Sequence, residues 1–585
     1  MANLHNLMAR AFAASLALML VSIAPAASET YNEWTARLKV PDTKRGLNDD
    51  PAGDGVPNVL KYALALDPLV ATTNPVPAAE VTSVQGADRL VLNVRKNPDA
   101  MGIDYIVEAS PDLATWSTSG LIVLSNTSTT LSVADGTPLT TGVRRFMRLR
   151  VALLDPLPGI LNWSQVTAIH AVMDRAIASY QIPGIVYSIK PAGKDPWLDA
   201  RGVADTTTRA PASASARFRI GSASKTFIGM AALQLIQQKR MGFDDPISRY
   251  LPAKVLSNYK RDVISIRMLL QHTSGINNYT NIEDAWGLPY IFNRQRVWTN
   301  EELVELINAR YAKAPEDGGK VAEPGQTWFY SNTNTVTLAM IVEKISGLTI
   351  REYITTNFVD RLRLRDTIYP APGLSTIPGE HLTGYMDWQA FTGSTSFPAG
   401  MTDVTIYDPT GVGPAGPIIS TVRDLSVWVE ALAHDESLIG DFRRGHVDWR
   451  YFVNAAREGG AGVTYGMNIA HEPDGINQAD YFIVGHRGQI SGYDTSMMYL
   501  PDKDVAIVVV CNRSLPPFDP RSPNNSNEVA LDQIVALLYP DLIAASKINV
   551  GAAASQATRA RAAALQTDAA TDGRRAFRGP LTEYR

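Results

Sequence analysis

The chain has 585 residues, a formal net charge of -4 and 19% charged residues, a balance that gives no footing for nucleic acid or an anionic membrane surface. At about 150 residues per domain, this length calls for three or four units rather than one core. The single cysteine, Cys511, rules out an intrachain disulfide; it ends an apolar run from Val505 that reads as a core strand, so a buried, inert thiol is expected.

Residues 1–27 read as an export signal: Arg10 gives a positive start, Ala11 to Ile23 an apolar run, and Ala24, Pro25 and Ala26 a small-residue cleavage site. The run is shorter than the ~20 residues a spanning helix needs, and no later segment is apolar enough to span. A secreted or periplasmic product with no membrane span is therefore expected. Residues 28–77 hold an acidic turn whose Asp, Asn and Gly spacing over 48–58 faintly resembles calcium loops. Ala52 stands where such loops place a carboxylate, so the stretch reads as a turn capping a short helix from Asn58 to Leu66, with no metal.

Over residues 78–152 the pattern alternates with period two, at Leu90, Leu92 and Val94, at Tyr105, Val107 and Ala109, and at Met147, Leu149 and Val151. Turn clusters between these runs predict a small β-sandwich accessory module with no chemistry of its own. Pro156 and Pro158 mark a linker, and residues 155–545 form the third unit. Its apolar spacing predicts helices over 164–180, 222–240, 301–309, 334–346 and 527–538, and strands over 185–190, 480–487, 495–500 and 505–511. The last two strands are joined by a four-residue turn, which makes the sheet at least partly antiparallel. The fold class is α+β behind a small all-β module. Residues 546–585, rich in Ala and Arg, read as a flexible tail.

The chemistry concentrates on the stretch from Phe218 to Ile236. Ser222 and Lys225 are three apart at a helix start, so both side chains share one face, while Phe227, Ile228, Met230, Ala231, Leu235 and Ile236 form a buried stripe. A serine hydroxyl needs a base, and a helix N-terminus offers N–H groups to a developing oxyanion. Ser257 and Lys260 repeat the spacing, but in a polar turn without an apolar helix behind it. Tyr330 and Asn332 precede another helix; Tyr279 and Asn281 repeat that triplet too. His486, Arg487, Gly488 and Gln489 lie on a predicted strand.

In order and rough spacing, Ser222 with Lys225, the loop from Leu270 to Gly275, Tyr330 with Asn332, and His486 to Gly488 resemble the penicillin-recognising serine hydrolases. The similarity is greatest to the class C β-lactamase and D-alanyl-D-alanine carboxypeptidase branch, which includes D-peptidases and esterases. That resemblance implies a β-lactamase/transpeptidase-like fold and an acyl-enzyme on Ser222, with Lys225 and Tyr330 sharing its proton and no metal or organic cofactor. It implies that Asn332, His486, Arg487, Gly488 and Gln489 bind substrate, with the backbone N–H groups of Ser222 and Gln489 as the oxyanion hole. An unperturbed lysine holds its proton at pH 7 by about three pKa units, roughly 4–5 kcal/mol against acting as a base, so something must lower it. His272 and Ser274 read as loop-shaping. Arg487, where relatives carry a small or hydroxylated residue, is expected either to grip a terminal carboxylate or to point away from the cleft. The expected substrate is a peptide ending in a D-amino acid, with a small acyl ester as the alternative and a non-turnover sensor of cell-wall fragments as a third reading.

Overall fold

The computed structural model describes residues 29–544 apart from 73–76, 128, 143, 154–156, 158, 393–394, 396–398, 435–452, 457–461, 466–469, 474–481 and 515–525. The export signal over 1–27 and the tail over 546–585 lie outside the described residues. The chain divides into two compact units, Met1–Thr167 and Ala168–Arg585.

In the first unit, helix α1 (Tyr31–Arg37) starts at a capping box in which Thr30 and Glu33 satisfy each other's backbone N–H groups. Trp34 of α1 packs against Tyr62 of α2 (Asn58–Ala63) with ring centroids 5.4 Å apart. The acidic turn between them spends its carboxylates on the chain itself. Asp50 accepts from the N–H groups of Gly53, Asp54 and Gly55, and Asp54 pairs with the buried Lys61 at 2.8 Å. Two sheets follow. Strands β1 (Ala78–Val84), β2 (Ala87–Arg95), β4 (Leu121–Asn126) and β5 (Thr130–Asp135) form one in the order β1-β2-β5-β4; β3 (Ile103–Ser110) pairs with β6 (Phe146–Leu153) in the other. Leu92, Val94, Leu131 and Val133 from the first sheet meet Val107, Met147 and Leu149 from the second, so the alternation in the sequence is the inner face of a sandwich.

The second unit is built on an eight-stranded antiparallel sheet. Its strands are β7 (Gly184–Pro191), β8 (Trp197–Gly202), β9 (Val453–Ala456), β10 (Gly462–Tyr465), β11 (Ala470–Pro473), β12 (Phe482–Ile490), β13 (Tyr493–Leu500) and β14 (Val505–Cys511), in the order β9-β10-β11-β12-β13-β14-β7-β8. Central strand β14 is buried at every residue, which is why its sequence is apolar throughout rather than alternating. After α3 (Trp163–Tyr180), helix α4 (Ser224–Gln237) runs through the core beside α6 (Asn332–Ser346); α5 (Asn300–Asn308) also packs on α6. Helices α7 (Val422–His434) and α8 (Ser526–Leu538) pack on the central strands. Phe227 of α4 stacks on Trp428 of α7 at 3.8 Å and 6°, and Thr226 Oγ1 accepts from the Trp428 indole at 2.8 Å. These contacts hold the helix that follows Ser222. Among the described residues no helix is long and apolar enough to cross a membrane.

The helix expected from residue 222 begins two residues later. Gly221–Ala223 form a 3₁₀ turn, and the α-helix proper starts at Ser224. Gly221 has φ 54°, and a Cβ there would meet the Gln489 backbone at 3.0 Å. A Cβ on Gly488 would overlap the Ile220 carbonyl oxygen at 1.9 Å, so the turn lies directly on β12 with no room for a side chain between them. Gly488→Ala is accordingly expected to cost about 1–3 kcal/mol of stability and to displace the Ser222 turn. Denaturant unfolding paired with a Ser222 labelling rate checks this; an alanine variant of unchanged stability and labelling would contradict it.

Candidate active site

Lys225 is 0% exposed. Its Nζ lies 2.9 Å from Ser222 Oγ and donates to the Ala415 carbonyl at 3.0 Å. No carboxylate among the described residues pairs with it. Burial pushes its pKa well below the usual lysine range, so desolvation supplies the lowering that a lysine base requires. The neighbouring imidazoles add no negative charge. His486 is fully buried and held down at about 3, first by burial and then by the charge of Lys225; its Nδ1–H donates to the Arg487 carbonyl at 2.5 Å. His272 is likewise kept neutral by burial, with Lys225 and His486 as further causes.

Tyr330 lies over this group, with the Lys225 ammonium position 4.9 Å from its ring centroid and His486 at 6.5 Å. Burial raises the phenol far above its ordinary value, partly offset by a hydrogen bond with Ser222. At neutral pH it is therefore a proton donor, not a phenolate. The Leu270–Gly275 loop holds Tyr330 from behind. His272 Nδ1 accepts from the Ser331 N–H at 3.3 Å and from Asn334 at 3.1 Å, its carbonyl accepts from Phe329, and Ser274 donates to Asn334 at 2.6 Å. The positive φ of His272, 55°, turns the loop into that position.

Ser222, Asn332 and Gln489 open onto one small cavity of about 30 Å³, whose other walls are Thr280, Trp286, Tyr290, Val412, Ala415, Gly416 and Ile490. Trp286 and Tyr290 stack at 4.7 Å and 12° to form a flat apolar wall, anchored where the indole N–H donates to the Gly411 carbonyl at 2.7 Å. No acidic or basic side chain lines the cavity among the described residues. Arg487 is 4% exposed and lies, by strand alternation, on the face of β12 opposite His486 and Gly488; it does not line the cavity. Gly488 serves as the spacer described above. The structure thus brings Ser222, Lys225, Tyr330, Asn332, His486 and Gln489 together and leaves Arg487 apart. Among the described residues no cluster of His, Cys, Asp and Glu is suited to a metal.

A profile of the beta-lactamase family matches residues 169–531. The chain belongs to the beta-lactamase family. Within it, the chain is 25% identical over 316 residues to a penicillin-binding protein of Bacillus subtilis (strain 168), covering 53% of this chain and 64% of that one. It is 23% identical over 347 residues to the protein flp of Staphylococcus aureus (strain MW2), covering 59% and 62%. The matches thus span less than two thirds of these relatives. Among solved structures, a D-stereospecific amidohydrolase from Streptomyces sp. is similar at 25% identity and TM-score 0.52, covering 64% of this chain and 98% of that one. A D-amino acid amidase from Ochrobactrum anthropi SV3, crystallised with D-phenylalanine, shares the fold at 24% identity and TM-score 0.54, covering 65% and 99%.

Some members of this beta-lactamase-family site were not legible beforehand. Ala415 contributes only a carbonyl, which no motif records. Thr280 lies inside the second Tyr-x-Asn triplet, Tyr279 to Asn281, yet its side chain borders the cavity. The repeat itself was the available signal. Tyr279 spends its hydroxyl on the Val412 carbonyl at 2.7 Å.

Proposed function

We propose that the chain hydrolyses amides or esters of amino acids, D-configured ones foremost, through a Ser222 acyl-enzyme. The observation that carries this reading is a wholly buried lysine, without a counter-charge among the described residues, 2.9 Å from a serine hydroxyl that faces a cavity. Ser222 Oγ attacks the substrate carbonyl carbon while its proton passes to Lys225. The backbone N–H groups of Ser222 and Gln489 receive the oxyanion. Tyr330 delivers a proton to the leaving nitrogen or oxygen as the carbonyl–leaving-group bond breaks and recovers in turn the proton held by Lys225; water then attacks the acyl carbon, gives one proton back to Ser222 Oγ through the same groups, and the acid is released. The similarity to a D-stereospecific amidohydrolase supports an amide of a D-amino acid. The esterase reading keeps its place for a specific reason. Among the described residues the cavity presents no charged side chain and Arg487 does not line it, so none of them selects a free carboxylate over a neutral group. Export through residues 1–27 is part of the same proposal and would set the enzyme outside the cytoplasm.

A panel of D-amino-acid amides, dipeptides and alkyl esters separates the two substrate readings, and Tyr330→Phe sharpens it. Loss of a positioned general acid is worth about 10²–10⁴ in rate. An amide, whose amine leaves only when protonated, is expected to lose the larger factor and an ester the smaller. If Tyr330→Phe costs only a few-fold on every substrate, the phenol has no part in proton transfer.

A further inference from the structure

A second cavity, of about 480 Å³, adjoins the wall of the catalytic one. Its volume falls within the range of small-molecule sites, about 300–1,000 Å³. The two cavities share a short segment of chain. In the five-residue π turn Glu283–Gly287, Ala285 lines the second cavity and the next residue, Trp286, lines the catalytic one. Turns of this kind are rare and are frequent at functional sites. Gly411 also links the two. A Cβ there would meet Tyr290 of the catalytic wall at 2.7 Å and Trp298 of the second cavity at 3.5 Å, and the Gly411 carbonyl holds the Trp286 indole.

The charges that line the second cavity divide into those neutralised within the chain and those that are not. Arg296 lies 3.4 Å from Glu302 and covers the Trp298 ring at 3.6 Å from its centroid. Arg310 donates to both oxygens of Asp284 at 2.7 Å, which ties it to the π turn. Glu305 and Lys313 remain. Neither has an ion pair among the described residues, and the Glu305 carboxylate accepts only from the Asn308 side-chain amide, at 3.0 Å. Both are exposed, and both line a cavity whose apolar walls are Ala285, Leu306 and Ala309. One anion and one cation beside apolar surface match a ligand that carries one charge of each sign and an apolar side chain. A free α-amino acid is such a molecule, its ammonium toward Glu305 and its carboxylate toward Lys313.

We propose that this cavity is a second, non-catalytic site that binds an apolar α-amino acid as its zwitterion, and that the occupant acts on the catalytic wall through the π turn. Hydrolysis of an amino-acid amide or ester releases such a zwitterion, so the site senses the product. Only that last identification rests on the hydrolase reading; the binding itself does not need turnover.

The test is calorimetric titration at millimolar concentrations of D-phenylalanine, phenylacetate, which lacks the ammonium, and phenethylamine, which lacks the carboxylate. They are compared on the wild type, Lys313→Met and Glu305→Gln, whose altered side chains are exposed and leave the fold intact. On the wild type, each analogue is expected to bind about tenfold or more weakly than D-phenylalanine, the factor carried by one charge-assisted hydrogen bond. Lys313→Met should bring D-phenylalanine and phenethylamine within about threefold of each other, and Glu305→Gln should do the same for D-phenylalanine and phenylacetate. Saturating D-phenylalanine should also lower kcat of the wild type on D-alanine p-nitroanilide about fivefold, the low end of couplings between sites, and leave kcat of Lys313→Met unchanged. A product bound in the catalytic cavity would instead raise KM alone, and in both proteins. A wild type that gives no binding heat, or one whose preference for the zwitterion survives in both variants, overturns the site. Inhibition confined to KM in both proteins overturns its action on the catalytic wall. A protein that turns over no amide or ester is a different result: it removes the product assignment, and the titrations then decide the site by themselves.

Discussion

Ser222→Ala is expected to lower turnover by about 10⁴–10⁶, the range seen when a serine nucleophile is removed from an enzyme that keeps its other groups. The fold should tolerate the change. The backbone of the Gly221–Ala223 turn is set by its contact with Gly488 and Gln489, not by the hydroxyl, and Lys225 keeps its bond to the Ala415 carbonyl. The same substitution should abolish labelling by a fluorophosphonate, located by mass spectrometry. Ser257 is the informative comparison because it has the same spacing to a lysine. Its hydroxyl accepts from Asn308 Nδ2 at 3.2 Å, and Lys260 pairs with Glu323 at 2.8 Å, half-exposed. Lys260 is thus engaged by a carboxylate at the surface, whereas Lys225 is buried against the Ser222 hydroxyl and the Ala415 carbonyl. An adduct on Ser257, or activity surviving in Ser222→Ala, would refute the assignment.

The contrast between these two serines shows where the sequence is informative. A helix stripe such as Phe227, Ile228, Met230 and Leu235 records burial directly, and burial is what lowers Lys225, so the environment of the reactive pair could be read from its neighbours. The expected helices and strands of the second unit recur in the structure with boundaries shifted by a few residues. Helix α1 has its signal in Thr30 and Glu33, which spell out a capping box, but at seven residues it is too short for apolar periodicity to mark it within the acidic linker. The remaining members of the site were hidden for a physical reason. The Ala415 carbonyl reaches Lys225 from 190 positions away, and any residue type could supply it. Arg487 illustrates the opposite limit. Its charge drew attention, but Arg487 is not among the residues that wall the cavity, although Gln489, two positions on and on the same face of β12, is. Thr280 had a signal that periodicity could not interpret, since a repeated triplet acquires meaning only once the fold places one copy against the other.

Lys225 is where the requirements of stability and chemistry oppose each other most strongly. Its pKa in the folded protein is lowered by burial, whereas in the unfolded chain it is that of an ordinary lysine, about 10.4. Between those two values the unfolded chain binds a proton that the folded protein does not, so stability rises with pH across that window. Neutral pH lies on the costly side, and the cost fades only as pH approaches the ordinary lysine value. Lys225→Met fills similar volume without a charge to desolvate. It is expected to raise Tm at pH 7, with an advantage over the wild type that shrinks as pH rises toward 10; other titrating groups are common to both proteins and cancel in the difference. Activity should move the other way. Lys225→Arg retains a cation that cannot give up its proton, and loses about 10²–10⁴ in rate if the amine is the base. In the wild type, kcat/KM should rise with pH along an acid limb set by the lowered Lys225. His486, held at about 3, is already neutral there and cannot produce that limb. Thermal unfolding of Lys225→Met at several pH values, set beside the pH–rate profile of the wild type, tests both halves. A methionine variant less stable than the wild type at pH 7, or an arginine variant of undiminished rate, would show that Lys225 is retained for packing or charge rather than as the base beside Ser222.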